Sequence, residues 1–387
     1  MEHLPALFKR KVRLRNMRME NRTYIDFLRW CLHPTSKIPS CASEINWQEL
    51  LDFAKKQTIA GIYWQGIQRF GYFANRPSED DVMEWMGEYQ KIVRRNSTVD
   101  DEVIRLVDFL KDNGIKLFIF KGQSVAQYYP VPESRTSGDI DFYVFRQDQE
   151  KTYNLLKGKV NIEDTHNLRH VEFTSNGIPF EMHYHTATFA GCGRQKYWDD
   201  MVDDLSAVLD TVKIKNVSIP ILPSTVYSIY LFTHIYRHFL KDGIGLRQFI
   251  DWMMFFEAKH DEIVVDELTA KLERLNLTKA FRAFGVVLVD VLGMNAKYFP
   301  LEITESDRKY VSKVMDIVLR YGNFGKYGRS TPSLLERRGK TGRWWHSIET
   351  GMRSIKNLTQ FFWLSPSENA LMLPKLIKNS VNKNIKS

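Results

Sequence analysis

Cysteine and long apolar runs are both scarce in this sequence of 387 residues. The three cysteines, Cys31, Cys41 and Cys192, are odd in number and form no Cys-x-x-Cys pair, which fits a reducing compartment better than a secreted disulfide framework. The most apolar run, at 283–294, is short and contains Asp290, and the first residues lack the apolar stretch of a signal peptide. We therefore expect a cytoplasmic protein with no membrane span.

The net charge of +9 is confined to the two ends of the chain. Residues 1–22 carry seven Lys and Arg against two Glu, and residues 351–387 carry six against one. The rest of the chain is therefore close to neutral. Basic termini around a near-neutral body are more typical of solvated tails than of a nucleic-acid groove. Nucleic acid stays an alternative partner that the charge pattern does not favour.

The pattern of apolar residues changes twice along the chain. Apolar residues recur every three or four positions through 23–110, which predicts helices. Short strands are predicted at 115–120 and 139–145, followed by a helix and by two strands around Asn176-Gly177, after which helices return. This order predicts an α+β fold, with a small mixed β-sheet core flanked by N-terminal and C-terminal helical regions.

Two aspartates, Asp139 and Asp141, lie two positions apart in the predicted strand DIDFYVF. They share one face of that strand, so their carboxylates repel each other and raise each other's pKa unless a cation lies between them. A solvated strand end paired with Arg135 is the structural alternative. Glu181 and His183 share a face of the later strand IPFEMHYH. If that strand lies beside the first, Glu181 completes a triad for Mg²⁺, with Mn²⁺ as a substitute, and without the cation we expect clustered acids with raised pKa values.

A glycine-containing turn follows the first predicted strand, with the sequence Lys121-Gly122-Gln123-Ser124. Gly122 permits a close approach of the backbone, and the following helix begins with free N–H groups that suit phosphate. Lys121 and Ser124 are the side chains that we expect to touch a triphosphate.

Three segments in this order resemble a known family: FKGQSVAQYYPVPESRTSGDIDFYV, IPFEMHYH and HIYRHFLKDGIGLRQFIDW. They are similar to the bacterial family of uncharacterised nucleotidyltransferases, within the DNA polymerase beta-like nucleotidyltransferase superfamily. The resemblance covers residues 23–330 and implies that Asp139, Asp141 and Glu181 are both the catalytic residues and the metal ligands. The nucleotide-binding residues that we expect are Lys121, Gly122, Ser124, Arg135, His183 and Arg247.

The resemblance and the apolar pattern together divide the chain into five segments. These are a basic N-terminal extension (1–22), for which disorder is one alternative, an N-terminal helical region (23–110), a nucleotidyltransferase core (111–200), a C-terminal helical domain (201–320), and a Gly/basic loop with an amphipathic basic C-terminal segment (321–387).

Four histidines, His166, His170, His183 and His185, are candidates for a zinc cluster. Their spacing matches no common zinc pattern and no cysteine lies among them, so we do not expect zinc. His183 is better explained as a partner of Glu181 or a substrate contact, with a packed strand histidine as the alternative.

Two pairs of residues lie one helical turn apart in HIYRHFLKDGIGLRQFIDW, namely His234 with His238 and Arg247 with Asp251. This spacing favours a helix hairpin held by an Arg247–Asp251 ion pair. A contact with the nucleotide, at the place where the resembling superfamily binds a base or an acceptor, is the alternative.

These features predict a Mg²⁺-dependent nucleotidyltransferase that moves a nucleoside monophosphate from a nucleoside triphosphate to a small-molecule or protein acceptor. Two alternatives use the same fold without this chemistry. One is a non-catalytic module that binds nucleotide, and the other is a module that binds RNA.

Overall fold

The computed structural model describes residues 19–35, 38–69, 75–163, 170–323 and 340–374, with the backbone alone for residues 163 and 340–348. Most of the predicted N-terminal extension, most of the predicted Gly/basic loop, and His166 lie outside the described residues. Across the part of the chain that is described, no helix is long and apolar enough to cross a membrane.

Polar caps define where the N-terminal helices begin. The side chain of Asn46 caps the second helix, and Ser78 and Asp81 form a reciprocal capping box at the start of the fourth. That long helix ends at Asn113, and Gly114 follows it with a φ of +69°. The helices are Met19–Leu32 (α1), Trp47–Gln57 (α2), Ala60–Ile67 (α3) and Glu79–Asp112 (α4).

A five-stranded sheet follows the helices, and its strand order is not the order of the chain. The strands and short helices are Leu117–Ile119 (β1), Gln123–Ala126 (α5), Ile140–Val144 (β2), Gln149–Lys157 (α6), Ile162–Glu163 (β3), His170–Ser175 (β4) and Ile178–His183 (β5). The order in the sheet is β1-β2-β5-β4-β3, with β2 parallel to β5 and the other pairs antiparallel. A parallel pair needs a long crossover, which α6, β3 and β4 provide here.

A second hairpin contradicts the expectation that only helices follow the sheet. Its strands are Asp210–Ile214 (β6) and Val217–Ile221 (β7). Lys215 and Asn216 join them with φ of +44° and +70°, as in the two-residue turns that suit the twist of a hairpin. Val212 and Ile214 are buried while the residues between and before them are not, which is the alternation of a half-buried strand.

The C-terminal region is helical and holds a large aromatic core. Its helices are Cys192–Asp203 (α7), Ser224–Lys241 (α8), Leu246–Lys259 (α9), Val265–Leu275 (α10), Thr278–Val286 (α11), Glu305–Arg308 (α12), Val311–Tyr321 (α13) and Lys340–Gln360 (α14), with a π-helical turn at Val287–Val291. Most residues of α8 and α9 are buried on all sides, as expected for central helices. Between α9 and α11, the rings of Trp252 and Phe281 meet edge to face with centroids 4.9 Å apart.

The predicted α+β fold is confirmed, and both helical regions contact the connection between β1 and β2. From α4, Asn96 Nδ2 donates hydrogen bonds of 2.8 Å to the backbone oxygens of Glu133 and Arg135. From α8, the hydroxyl of Tyr227 accepts a 3.0 Å hydrogen bond from the backbone N–H of Lys121. The connection is therefore held from two sides, while the segment boundaries given above stay a prediction.

A buried ion pair ties this connection to α9. Arg135 donates to both carboxylate oxygens of Asp251, at 2.7 and 2.8 Å, and the two residues are 3% and 5% exposed. Tyr129 donates a further 2.7 Å hydrogen bond to Asp251. The predicted Arg247–Asp251 pair is wrong, because Asp251 is already engaged by a guanidinium from a distant part of the chain.

Asp251→Ala should destabilise the protein strongly because it leaves the Arg135 guanidinium buried without its counter-charge. We expect a loss of about 3–5 kcal/mol in the free energy of unfolding, measured by urea titration. Glu84→Ala is the matched control, since it breaks the exposed Lys55–Glu84 pair at 3.2 Å and should cost about 1 kcal/mol or less. Equal losses in the two variants would contradict the structural role of Asp251.

Candidate active site

The pairing of β2 with β5 brings three carboxylates together. Asp141 lies directly opposite Glu181 in this parallel pair, and Asp139 immediately precedes β2. Residues two apart on a strand, and residues opposite each other on neighbouring strands, share one face of the sheet. One carboxylate oxygen from each of the three residues lies within 4.8 Å of the others. This spacing is short enough for all three to reach one cation.

A lysine ammonium and a histidine imidazole lie against these acids. The ammonium of Lys121 is 2.8 Å from Asp141 Oδ2. His183 Nε2 lies 2.8 Å from Asp141 Oδ1 and 3.1 Å from Glu181 Oε2. Lys121 has a φ of +56° and Gly122 a φ of +58°, so the turn after β1 is in the left-handed region at both positions. For a lysine this conformation is costly, and it places the ammonium inside the cleft.

The Lys121 charge, the His183 hydrogen bonds and burial change the pKa values of the three carboxyls. The Lys121 ammonium lowers the pKa of Asp139. Burial, reinforced by the Asp139 charge, raises the pKa of Asp141. Burial also disfavours ionised Glu181, but the hydrogen bond from His183 and the Lys121 charge outweigh it and lower its pKa. The expectation of three raised pKa values is therefore wrong for Asp139 and Glu181.

A small cleft opens beside Asp139, between the β1–β2 connection and helices α8 and α9, with about 30 Å³ of free volume, part of it open to solvent. Arg247 lines this cleft at 8% exposure. Its Nη1 donates a 2.5 Å hydrogen bond to the backbone oxygen of Thr136, and its Nε has no hydrogen-bond partner among the described residues. Among the described residues no carboxylate forms an ion pair with Arg247. A buried, unpaired guanidinium beside an open cleft is suited to bind an anion. Other lining residues are Lys121, Gly122, Asp139, His234 and Gln248.

Three other predicted site residues, Gly122, Ser124 and Arg135, differ in whether their side chain or backbone reaches the cleft. Gly122 lines the cleft next to the backbone of Asp139. Ser124 does not reach it, because its hydroxyl is fully buried and bonded to Tyr227 Oη at 2.6 Å and to the backbone oxygen of Lys121. Arg135 borders the cleft, but its guanidinium is held by Asp251.

Sequence reasoning missed two parts of this site. Gln248 lines the cleft with a buried Oε1 that has no partner, and no pattern in the sequence distinguishes it from a core residue of α9. His170 lies on β4 directly opposite His183. That position follows from the two-residue turn at Asn176-Gly177, which sets the register of the β4–β5 hairpin. The predicted zinc candidate His185 is elsewhere, with Nδ1 2.9 Å from Asp199.

Comparisons with known proteins agree with this description of the chain. Residues 43–293 match the family described as uncharacterised nucleotidyltransferase, and the chain therefore belongs to that family. No curated protein matches the chain. A crystal structure of an antigenic nucleotidyltransferase-like protein from Paracoccidioides brasiliensis is similar at 15% identity, over 49% of this chain and 91% of that one, with a TM-score of 0.32. A likeness of this size carries no argument here.

Lys121→Met should expose the repulsion among the three carboxylates because it removes the ammonium and keeps a side chain of similar length. Without divalent ions, we expect the free energy of unfolding to fall by about 3 kcal/mol, the low end for breaking a buried ion pair. Mg²⁺ should then stabilise this variant more than the wild type, since the ion no longer competes with Lys121. Urea unfolding with and without Mg²⁺ measures both effects.

Lys116→Met is the matched control, because Lys116 is exposed and precedes β1. It should leave both the stability and its dependence on Mg²⁺ unchanged. If Mg²⁺ stabilises Lys121→Met and the wild type equally, Lys121 is not the counter-charge of the acids.

Proposed function

We propose that this chain is a Mg²⁺-dependent nucleotidyltransferase of the DNA polymerase beta-like superfamily. It would move a nucleoside monophosphate from a nucleoside triphosphate to a small-molecule or protein acceptor. Membership of a nucleotidyltransferase family supports the reaction class. The observation that carries the proposal is that the guanidinium of Arg247 and the carboxylate of Asp139, a member of the triad, border one cleft. Such a cleft offers a site for a polyphosphate next to a site for its cation.

The carboxylate oxygens of Asp139, Asp141 and Glu181 are the hard ligands that Mg²⁺ prefers. Mg²⁺ bound there supplies charge stabilisation at the α-phosphate and lowers the pKa of a nearby acceptor hydroxyl. One carboxylate of the triad takes the proton of that hydroxyl as the new O–P bond forms at the α-phosphorus. The bond from the α-phosphorus to its β-bridging oxygen breaks, and pyrophosphate leaves.

Lys121 and Arg247 bind phosphate oxygens in this proposal. Arg247 is available in the structure as described, whereas Lys121 must first leave Asp141, which lies 2.8 Å from its ammonium. With its carboxylate holding a cation, Asp141 would release the Lys121 ammonium to the triphosphate. His183 would likewise leave the carboxylates of Asp141 and Glu181 and lie beside the bound nucleotide.

The closed Lys121–Asp141 pair favours a second candidate, a non-catalytic module that binds nucleotide through Arg247 without turnover. An RNA-binding module is supported only by the basic termini, which lie largely outside the described residues. A cytoplasmic location belongs to the proposal, and the absence of disulfides among Cys31, Cys41 and Cys192 supports it.

Asp139→Asn and Asp141→Asn should each reduce transfer of label from α-labelled nucleoside triphosphates by several orders of magnitude, because the amide cannot hold the cation. Stability should change little, because losing one charge relieves repulsion within the triad and leaves the Lys121 ammonium beside the two remaining carboxylates. The assay uses the small-molecule and protein fractions of a cell extract as acceptors, with a melting curve for each variant.

Asp108→Asn, on the exposed face of α4, is the matched control and should leave transfer unchanged. Transfer that persists in both triad variants would exclude catalysis by these acids. Binding of a nucleoside triphosphate by the wild type without any transfer would establish the non-catalytic candidate instead.

Arg247→Met should weaken the binding of a nucleoside triphosphate by about 10- to 100-fold, the equivalent of one or two charge-assisted hydrogen bonds. Its stability should hold or rise, because burial and the Arg135 charge disfavour this cation more than the Asp251 and Asp139 charges favour it. Calorimetric titration measures the first effect and urea unfolding the second. Arg94→Met, on the exposed surface of α4, should change neither. Unchanged affinity in Arg247→Met would remove the anion-binding part of the proposal.

A further inference from the structure

The sheet face that carries Glu181 also carries two histidines and a second glutamate. In the antiparallel pairing of β4 with β5, His170 lies opposite His183 and Glu172 lies opposite Glu181. Within each strand the histidine and the glutamate are two positions apart, so all four side chains share one face. The result is a two-by-two arrangement of imidazoles and carboxylates at the edge of the carboxylate triad.

The distances within this arrangement are those of a metal-binding group. His183 Nε2 is 3.1 Å and His170 Nε2 is 4.0 Å from Glu181 Oε2. One ligand atom from each of these three residues lies within 4.8 Å of the others. Zinc bonds to histidine nitrogen and carboxylate oxygen are about 2.0–2.2 Å long, so neighbouring ligand atoms around one ion lie about 3–4 Å apart. Small side-chain rotations bring the three residues into that range.

We propose that His170, Glu181 and His183 form a second cation site, for a first-row transition-metal ion such as Zn²⁺. It adjoins the carboxylate triad and shares Glu181 with it, but it does not require that the chain transfers nucleotides. The spacing of the histidines alone did not favour zinc, because the carboxylate between them is contributed by the fold. The site contains neither His185, which lies with Asp199, nor His166.

Ligand chemistry distinguishes this site from the triad. Two imidazoles and a carboxylate suit Zn²⁺, Co²⁺ or Ni²⁺, whereas Mg²⁺ prefers oxygen ligands alone. His170 Nε2 lies 2.5 Å from Glu172 Oε1, so a second carboxylate adds negative charge beside the site, which favours a cation there. The side chains of His170, Glu181 and His183 are 16%, 26% and 17% exposed, which leaves an ion a path from solvent.

Binding of an ion at this site has a consequence for the triad. His183 uses one nitrogen, Nε2, for both Asp141 and Glu181. When that nitrogen binds a metal ion, Asp141 Oδ1 loses its hydrogen bond and is released to a second cation. The two sites are therefore coupled through His183 and Glu181.

The test is a titration of the full, untagged and chelator-treated chain with Co²⁺, whose weak visible d–d absorption in water shifts and strengthens when imidazole and carboxylate bind it with a low coordination number. The wild type, Asp139→Asn and the control His185→Ala should each give the band with similar affinity. His170→Ala and His170→Gln should lose the band and bind Co²⁺ at least about 10-fold more weakly. Zn²⁺ should displace Co²⁺ from the wild type, and Mg²⁺ in large excess should not.

Several outcomes would overturn the proposal. One is an unchanged Co²⁺ band in both His170 variants with a native circular dichroism spectrum. Another is loss of the band in Asp139→Asn alone, which would put the ion in the triad. Displacement of Co²⁺ by Mg²⁺ from Asp139→Asn, whose triad has lost a ligand, would show that the ion is not held by imidazole. None of these measurements uses a nucleotide, so failure of the second cation site is separate from failure of the proposed transferase activity.

Discussion

Repulsion among Asp139, Asp141 and Glu181 is the constraint that shapes the rest of the cleft. Three carboxylates with oxygens within 4.8 Å of one another cannot all be ionised in a buried place unless positive charge lies nearby. The chain meets this need with a lysine in a left-handed turn and a histidine that contacts two of the acids at once. The need for positive charge beside the acids explains the unfavourable backbone conformation of Lys121, because an extended turn would direct its ammonium elsewhere.

The helical regions matter because they hold the connection that carries these charges. Asn96 of α4 bonds its backbone from one side, and Asp251 of α9 fixes Arg135 from the other. Tyr227 of α8 bonds the backbone N–H of Lys121 itself. A small sheet of short strands has little hydrophobic surface of its own, so large packed helices supply the rigidity that a charged cleft needs.

Much of the site was predictable because strands alternate and turns set register. Alternation predicted that Asp139 and Asp141 share a face, and that Glu181 joins them if its strand is a neighbour. The Asn176-Gly177 turn also sets the pairing of His170 with His183. The predictions that were wrong are those that depend on contacts between residues far apart in the sequence. The i, i+4 spacing predicted an Arg247–Asp251 pair, but a guanidinium more than a hundred positions earlier in the chain occupies Asp251. The predicted pKa directions of Asp139 and Glu181 were wrong for the same reason, because no local pattern in the sequence shows that Lys121 turns inward.

Under the proposed function, the arrangement of charges favours binding of the cation and the polyphosphate as a pair. A triphosphate alone would bring negative charge to three carboxylates, and among the described residues that line the cleft Arg247 is the cation without an ion pair. A divalent cation alone must displace the Lys121 ammonium, which lies 2.8 Å from Asp141, and would leave that lysine buried without its partner. When both arrive, the cation satisfies the acids while Lys121 and Arg247 satisfy the phosphates, so each ligand removes the cost of the other. By linkage, each must then raise the affinity for the other by the same factor.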